Sequence, residues 1–473
     1  MKKNFFLNYK VIMGLLVIVL AAASCKKLIE IPGNPPTKIT QEQQFADSTV
    51  TMMAVAGVYS YPSLGGFTFN NGFLTIATGL SADEFSTTST NQNIADFYSY
   101  SQTDINTTVA ILWADPYKGI YPVNTIMEQV GSSSKLSATF KKQIVAEMKV
   151  LRALYHFNLV NLFGGVPVIT STDYKVNAVL PRNSVDEVYA QIIKDLTEAK
   201  QDLALNYPSA GRLRPNRYTA EAFLAKVYLY RKNWQAAYDA ANSVITSGVY
   251  TLPTDLNAVF LDGSKEAIWQ LPAHFDSRYL RVKDTDNFIP FFNGLMPTYP
   301  LSTYLKNAFE PGDSRMIKWL GISTVGGQNY YYPYKYKNTA QVPASTVEDY
   351  MIFRFAEQYL IRAEARIHLG DIAGGIDDLN VLRTRARAAA TTAIPNPLPD
   401  LSNTLSEADA LKALMKERQT ELFCEWGNRW FDLKRTGTAD AILGAEKPGW
   451  KPGAVLYPVP LAEREKNPFL TPN

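Results

Sequence analysis

The sequence predicts a mainly α-helical protein: a scaffold of tetratricopeptide-like helix–turn–helix units that carries a loop-rich, irregular subregion. Three observations lead there. Long segments keep apolar residues at helical spacing and begin with capping residues. Two segments share a pattern of small residues twelve apart across a short break, Ala225 and Ala237 in one, Ala363 and Gly375 in the other. Small residues at those places let antiparallel helices approach closely, as in tetratricopeptide units. Between 274 and 355, by contrast, 17 residues are aromatic, against 12% for the whole chain, and Gly and Pro interrupt the stretch throughout.

In chain order, the first 24 residues read as a secretory signal. Lys2, Lys3 and Lys10 precede the apolar run VIMGLLVIVLAAA at 11–23, which is too short to span a bilayer comfortably. AAASC at 21–25 makes Cys25 the expected lipidation site, and lipid chains would then tether a soluble body to a membrane. Residues 25–38 are the lipid-anchored linker, Pro-rich from KKLIEIPGNPPTK. Residues 39–473 form one domain. Thr40 with Gln43 three later marks the first helix. Residues 60–108, rich in Gly, Ser, Thr and Asn, are expected to be irregular loops. Helices return at 112–130 and 141–168, and Gly164-Gly165 stops the second. Ser184 and Glu187 form a capping box for 184–203. Helix–turn–helix units are expected near 141–205, 219–246, 357–387 and 405–435, and irregular ligand-side regions at 60–108 and 274–355.

Charge and missing motifs narrow the function. Without the signal's three lysines, basic residues fall from 47 to 44 and match the 44 acidic ones. Such neutrality argues against a nucleic-acid binder. Only two cysteines occur, Cys25 and Cys424, so a disulfide framework is excluded. His156, His274 and His368 lie about a hundred residues apart and form no zinc spacing. No nucleophile elbow, phosphate loop or dinucleotide fingerprint occurs, and neither a cofactor nor a metal is expected. A glycoside hydrolase with carboxylates from distant segments stays open.

Residues 417–437, ERQTELFCEWGNRWFDLKRTG, look at first like a catalytic centre. Yet Ser406 caps a helix whose apolar stripe runs through Leu411, Leu414, Met415, Leu422, Phe423 and Trp426. The charges are expected to pair at helical steps, Arg418 with Glu421 and Glu425 with Arg429. Arg418, Glu421, Glu425, Arg429, Trp430, Asp432 and Arg435 are therefore assigned to a charge-paired structural clamp, not to catalysis.

The same stretch resembles the C-terminal signature of the SusD/RagB family of outer-membrane glycan-binding lipoproteins. ITQEQQFADSTVTMMAVAGVYS, WADPYKGIYPVN, AEMKVLRALYHFNLVNLFGGVPVI and VLYPVPLAEREKNPFL are similar to that family's ordered blocks. The resemblance implies a non-catalytic protein, lipid-anchored to the outer membrane and facing the cell surface. It implies capture of oligo- or polysaccharide and delivery to a SusC-like TonB-dependent barrel transporter. A peptide- or glycopeptide-binding member of the family is the alternative, and a tethered hydrolase or a protein–protein scaffold lies outside it.

Sugar rings pair an apolar face with a polar rim, so aromatic rings beside amides, carboxylates and guanidinium groups suit them. The irregular regions offer Phe69, Asn70, Asn71, Asp96, Phe97, Tyr98, Arg278, Tyr279, Trp319, Asn329, Tyr330, Tyr331 and Tyr332 as candidate ligand contacts.

Overall fold

The computed structural model describes residues 40–64, 69–272, 281–339, 341, 345–447 and 449–473. Cys25, the linker and His274 lie outside the described residues. The capping signals work as read. Thr40 and Gln43 make a reciprocal capping box, and so do Ser184 and Glu187. Ser406 accepts from the Asp409 amide.

The scaffold begins with α1 (Ser48–Leu64), α2 (Leu74–Ser81) and α3 (Gln92–Ser99). The long pair α4 (Thr107–Ser132) and α5 (Ala138–Phe163) follows, and α6 (Val185–Asp202) packs on α5. Next come the hairpin α7 (Arg217–Tyr230) and α8 (Trp234–Thr246), and later α12 (Phe355–His368) with α13 (Ile372–Ala386). α8 packs against α12, so the two hairpins share an interface despite the hundred residues between them. Gly375 explains the close approach: a Cβ there would stand 2.6 Å from Ile367 Cγ1 and 2.9 Å from the Ala363 carbonyl.

Among the described residues, more than half of 60–108 is helical, which corrects the expectation of irregular loops throughout. α1 runs into them, a π-helical turn covers Phe69–Phe73, and every residue of α2 is buried. Gly79 sits so close to Phe85 that no side chain fits. Burial on all sides overrides the weak helix propensity of LTIATGLS and hides its period.

The intervening segment is built from short pieces: β1 (Ala267–Leu271), α9 (Lys283–Phe288), α10 (Thr303–Ala308), α11 (Ser314–Lys318), β2 (Leu320–Val325), β3 (Gln328–Pro333) and β4 (Tyr350–Arg354). β1 pairs antiparallel with β4, and β2 with β3.

The C-terminal part carries α14 (Glu407–Glu421) and α15 (Asn428–Arg435), followed by α16 (Ala439–Glu446) and α17 (Leu461–Lys466). Six of the seven clamp residues are buried and Arg435 is half-buried, but their pairing differs from expectation. α14 ends at Glu421, and Cys424 (φ 54°), Trp426 (φ 48°) and Gly427 (φ 72°) are left-handed, so helical steps lapse. Arg418 Nε donates to Asp432 at 2.7 Å, not to Glu421. Glu425 accepts from Arg354 and Lys335, not Arg429, and Arg429 reaches Asp83 at 2.7 Å. Glu421 is fully buried and takes Arg315, Arg354 and Arg385. Burial alone would raise its carboxyl, and the three guanidinium groups overcome that, holding it well below the usual carboxylate range. Arg315 lies in α11, Arg354 ends β4 and Lys335 follows β3. This buried network therefore fastens the irregular segment to the helical array.

Candidate functional site

One cleft of about 250 Å³ opens on the irregular segment. Its walls are α9, the loop 289–298 and residues Thr339 and Gln341. Two supports hold that loop. On one side, Ser323 of β2 accepts from the Gly294 amide at 3.0 Å and donates to the Leu295 carbonyl at 2.7 Å. The Thr324 amide donates to Asn293 Oδ1 at 3.1 Å. On the other side, the Ser86 and Thr88 amides donate to Pro300 and Thr298. Phe288 pins the end of α9 by stacking on Phe85, with centroids 5.3 Å apart.

Held at both ends, the loop exposes two rings. Phe291 is 68% and Phe292 60% exposed, with centroids 6.4 Å apart and planes at 84°. Phe291 borders the cleft. Beneath lies Asn287, only 9% exposed, whose Nδ2 has no hydrogen-bond partner among the described residues. Gly72 (φ 106°) makes room for it, since a Cβ there would collide with that amide. Asp286 also lines the cleft and binds Arg281 Nε at 2.8 Å and Lys283 Nζ at 3.0 Å. Burial would raise its carboxyl, and those two cations hold it below its ordinary value. Behind the cleft, burial pushes the Asp284 carboxyl up to about 7, against a Tyr350 hydrogen bond that lowers it. The arrangement offers ring faces and hydroxyls from Thr298 and Thr339 around a small concavity.

The sequence candidates divide among several places. Arg278 and Tyr279 lie outside the described residues, as do the side chains of Asn70 and Asn71. Tyr330 sits on the hairpin opposite Ser323, hence on the face that holds the loop. Its hydroxyl donates to Gln328 Oε1 at 3.1 Å. Exposed Asn329 accepts from Thr324 Oγ1, and half-buried Tyr332 covers Gly321. Tyr331 is half-buried against the main core.

Three aromatic candidates are core residues, which corrects their assignment as ligand contacts. Trp319 is fully buried, donates from Nε1 to the Leu256 carbonyl at 3.0 Å and packs on Phe260 and Phe423. Phe69 is 2% exposed, and Phe97 is fully buried edge-on to Tyr457. Asp96 spends its oxygens on Gln92, Ser101 and Asn106, which ties α3 to the start of α4. Tyr98 lies under the Lys447 ammonium at 4.1 Å. Phe291 and Phe292 were not among the candidates read from the sequence. Their signal was present: two adjacent Phe in a Pro- and Gly-bounded loop, too short to bury both.

His156 is internal. It is fully buried, its Nδ1 faces the Arg152 carbonyl at 3.1 Å and its Nε2 accepts from the Ile169 amide. Burial lowers it to about 3. Among the described residues no group of three or more His, Cys, Asp or Glu could hold a metal ion, and no helix is long and apolar enough to cross a membrane.

Comparison with known proteins gives consistent matches along the chain. A SusD-like family model described as starch-binding associating with outer membrane matches residues 41–229, and a SusD family model matches residues 302–473. SusD-like protein P25 of Formosa agariphila is 25% identical over 96% of both chains. SusD-like protein P2 of the same organism is 26% identical over 97% of this chain and 98% of its own. A SusD superfamily crystal structure from Bacteroides vulgatus superposes with a TM-score of 0.76 at 20% identity, covering 90% of this chain and 99% of that one. A structure described as a laminarin-binding SusD-like protein gives 0.72 at 23%, covering 90% and 99%.

Proposed function

The chain belongs to the SusD family, and we propose that it is a non-catalytic nutrient-binding lipoprotein. It captures an oligo- or polysaccharide and delivers it to a SusC-like TonB-dependent outer-membrane transporter. Lipid on Cys25 holds it at the outer membrane, facing the cell surface. The observation that carries the glycan reading is the pair Phe291 and Phe292, exposed on a fixed loop beside a cleft. Exposed rings on a braced loop cost apolar hydration that a bound sugar face would recover. The description of one structural relative as laminarin-binding agrees with a glucan among the ligands to be tried first.

In this reading nothing is transformed. Rings orient the sugar, amides and hydroxyls fix its rim, and release to the transporter follows from modest affinity at a small, open site. The test is affinity electrophoresis of the protein without residues 1–25 through a panel of neutral and anionic polysaccharides. Retardation by at least one glycan, without shortening of that glycan, is expected. No retardation anywhere, or product release, overturns the reading. Retention by glycopeptides alone would assign the peptide-binding alternative. Co-purification of a large barrel protein with the anchored form tests the transporter partnership.

A further inference from the structure

A second cavity, about 530 Å³, lies in the helical array and shares no lining residue with the cleft. It runs across the ends of α7 and α8, α12, α14 and α15. Its apolar wall is formed by Leu411 and Met415 of α14 and by Trp234, whose ring stacks on His368 at 4.0 Å and 19°. Stacked rings from two different hairpins make a flat, rigid plate, suited to an apolar side chain.

The charge lining this groove is mostly positive, with one carboxylate outside the lining, Glu407, beside the plate at 3.7 Å from His368 Nδ1. Lys232, Lys412, Lys416, Arg429 and Arg435 line it, and Glu364 is the one carboxylate beside them in its lining. Glu364 is consumed by Arg435 at 2.8 Å. Arg429 is neutralised from behind by Asp83, and Lys416 lies 3.1 Å from Glu310. Lys232 and Lys412 remain, both exposed, and neither has an ion-pair partner among the described residues. Lys232 is also held at φ 55°, a left-handed position in the turn between α7 and α8, so its backbone is fixed at the rim.

We propose that this groove is a docking site for an extended acidic peptide segment of a partner protein, with an aromatic or aliphatic side chain seated between Met415 and the Trp234–His368 plate. Charge complementarity argues for that occupant: two free ammonium groups flank an apolar wall, and each can take a carboxylate. The volume holds a few residues rather than a folded surface. The chain's own segment 26–38 has the wrong sign, with Lys26, Lys27 and Lys38 against Glu30. A glycan is a poor match, because the walls present more hydrocarbon and cation than neutral hydrogen-bonding groups. The inference does not depend on the glycan site.

The test uses the protein without residues 1–25 and a displayed library of random heptapeptides. Selected peptides should carry at least two Asp or Glu together with Trp, Phe or Leu. As synthetic fluorescent peptides, they should bind Lys232→Glu/Lys412→Glu at least tenfold more weakly than the unchanged protein, and weaken as salt is raised. Both lysines are exposed, so the double variant should keep its melting temperature and its glycan retardation. Trp234→Ala should weaken the same peptides with little effect of salt on the difference. No enrichment, enrichment without acidic bias, or equal binding to the double variant overturns the proposal.

Discussion

At the scale of single residues, burial decides what each polar group can do. Glu425 is 8% exposed and takes both Arg354 and Lys335. Glu425→Ala leaves the buried Lys335 without a carboxylate and takes one of three carboxylates from Arg354, which keeps Glu266 and Glu421, and should cost about 3–5 kcal/mol, read as the urea-unfolding midpoint at constant slope. Glycan affinity of the folded protein should not change. A selective loss of binding at full stability would return the clamp to the functional site. Asn287 gives the opposite expectation. Asn287→Ala removes a buried donor that nothing satisfies, so the unfolding midpoint should hold or rise slightly. Asp284 supplies a pH signature. Its carboxyl is raised to about 7 from an ordinary value near 4. In that window the folded chain keeps the proton and the unfolded chain releases it, so this group's contribution to stability falls as pH rises from about 4 to 7 and is level above. Asp284→Asn should therefore compare more favourably with the unchanged protein at pH 8 than at pH 4.5 in thermal melts. A difference independent of pH contradicts the assignment.

At the scale of elements, the helices were legible because cap, period and stop agreed. Ser184 with Glu187 and the paired small residues at 225/237 and 363/375 needed no tertiary knowledge. α2 was illegible because a helix buried on every side has no period to show. The clamp pairs were misread for a related reason. Four-residue spacing implied local ion pairs, but α14 stops at Glu421, and the partners Asp83, Arg354 and Lys335 come from remote segments. Aromatic enrichment marked the segment in which this cleft lies, yet composition cannot tell Trp319, fully buried, from Phe291, 68% exposed. The β2–β3 hairpin is the element on which the site depends. Ser323 joins it to the loop through two hydrogen bonds. Ser323→Ala should cost roughly 1–2 kcal/mol of local order and appear as faster amide exchange in residues 291–298, with a weaker glycan interaction. Unchanged exchange there would mean the loop is held from the other side alone.

At the scale of the whole molecule, the irregular segment is carried on a helical frame, and the proposed function assigns support to the frame and recognition to the segment. Helical hairpins and a buried network of arginines and carboxylates form a stiff frame, and the irregular segment, fastened to it by Arg315, Arg354 and Lys335, displays the rings. The acid-rich stretch at 417–437 belongs to the frame. The central claim is that the loop carrying Phe291 and Phe292 is the glycan contact. Calorimetric titration of the polysaccharide that retards the protein, into the unchanged chain and into Phe291→Ala/Phe292→Ala, tests it most directly. Both rings are exposed, so the variant should melt at the same temperature, and losing two ring faces should lower affinity by about tenfold or more, roughly 1.4 kcal/mol. Equal affinity of the two proteins at equal stability would contradict the account.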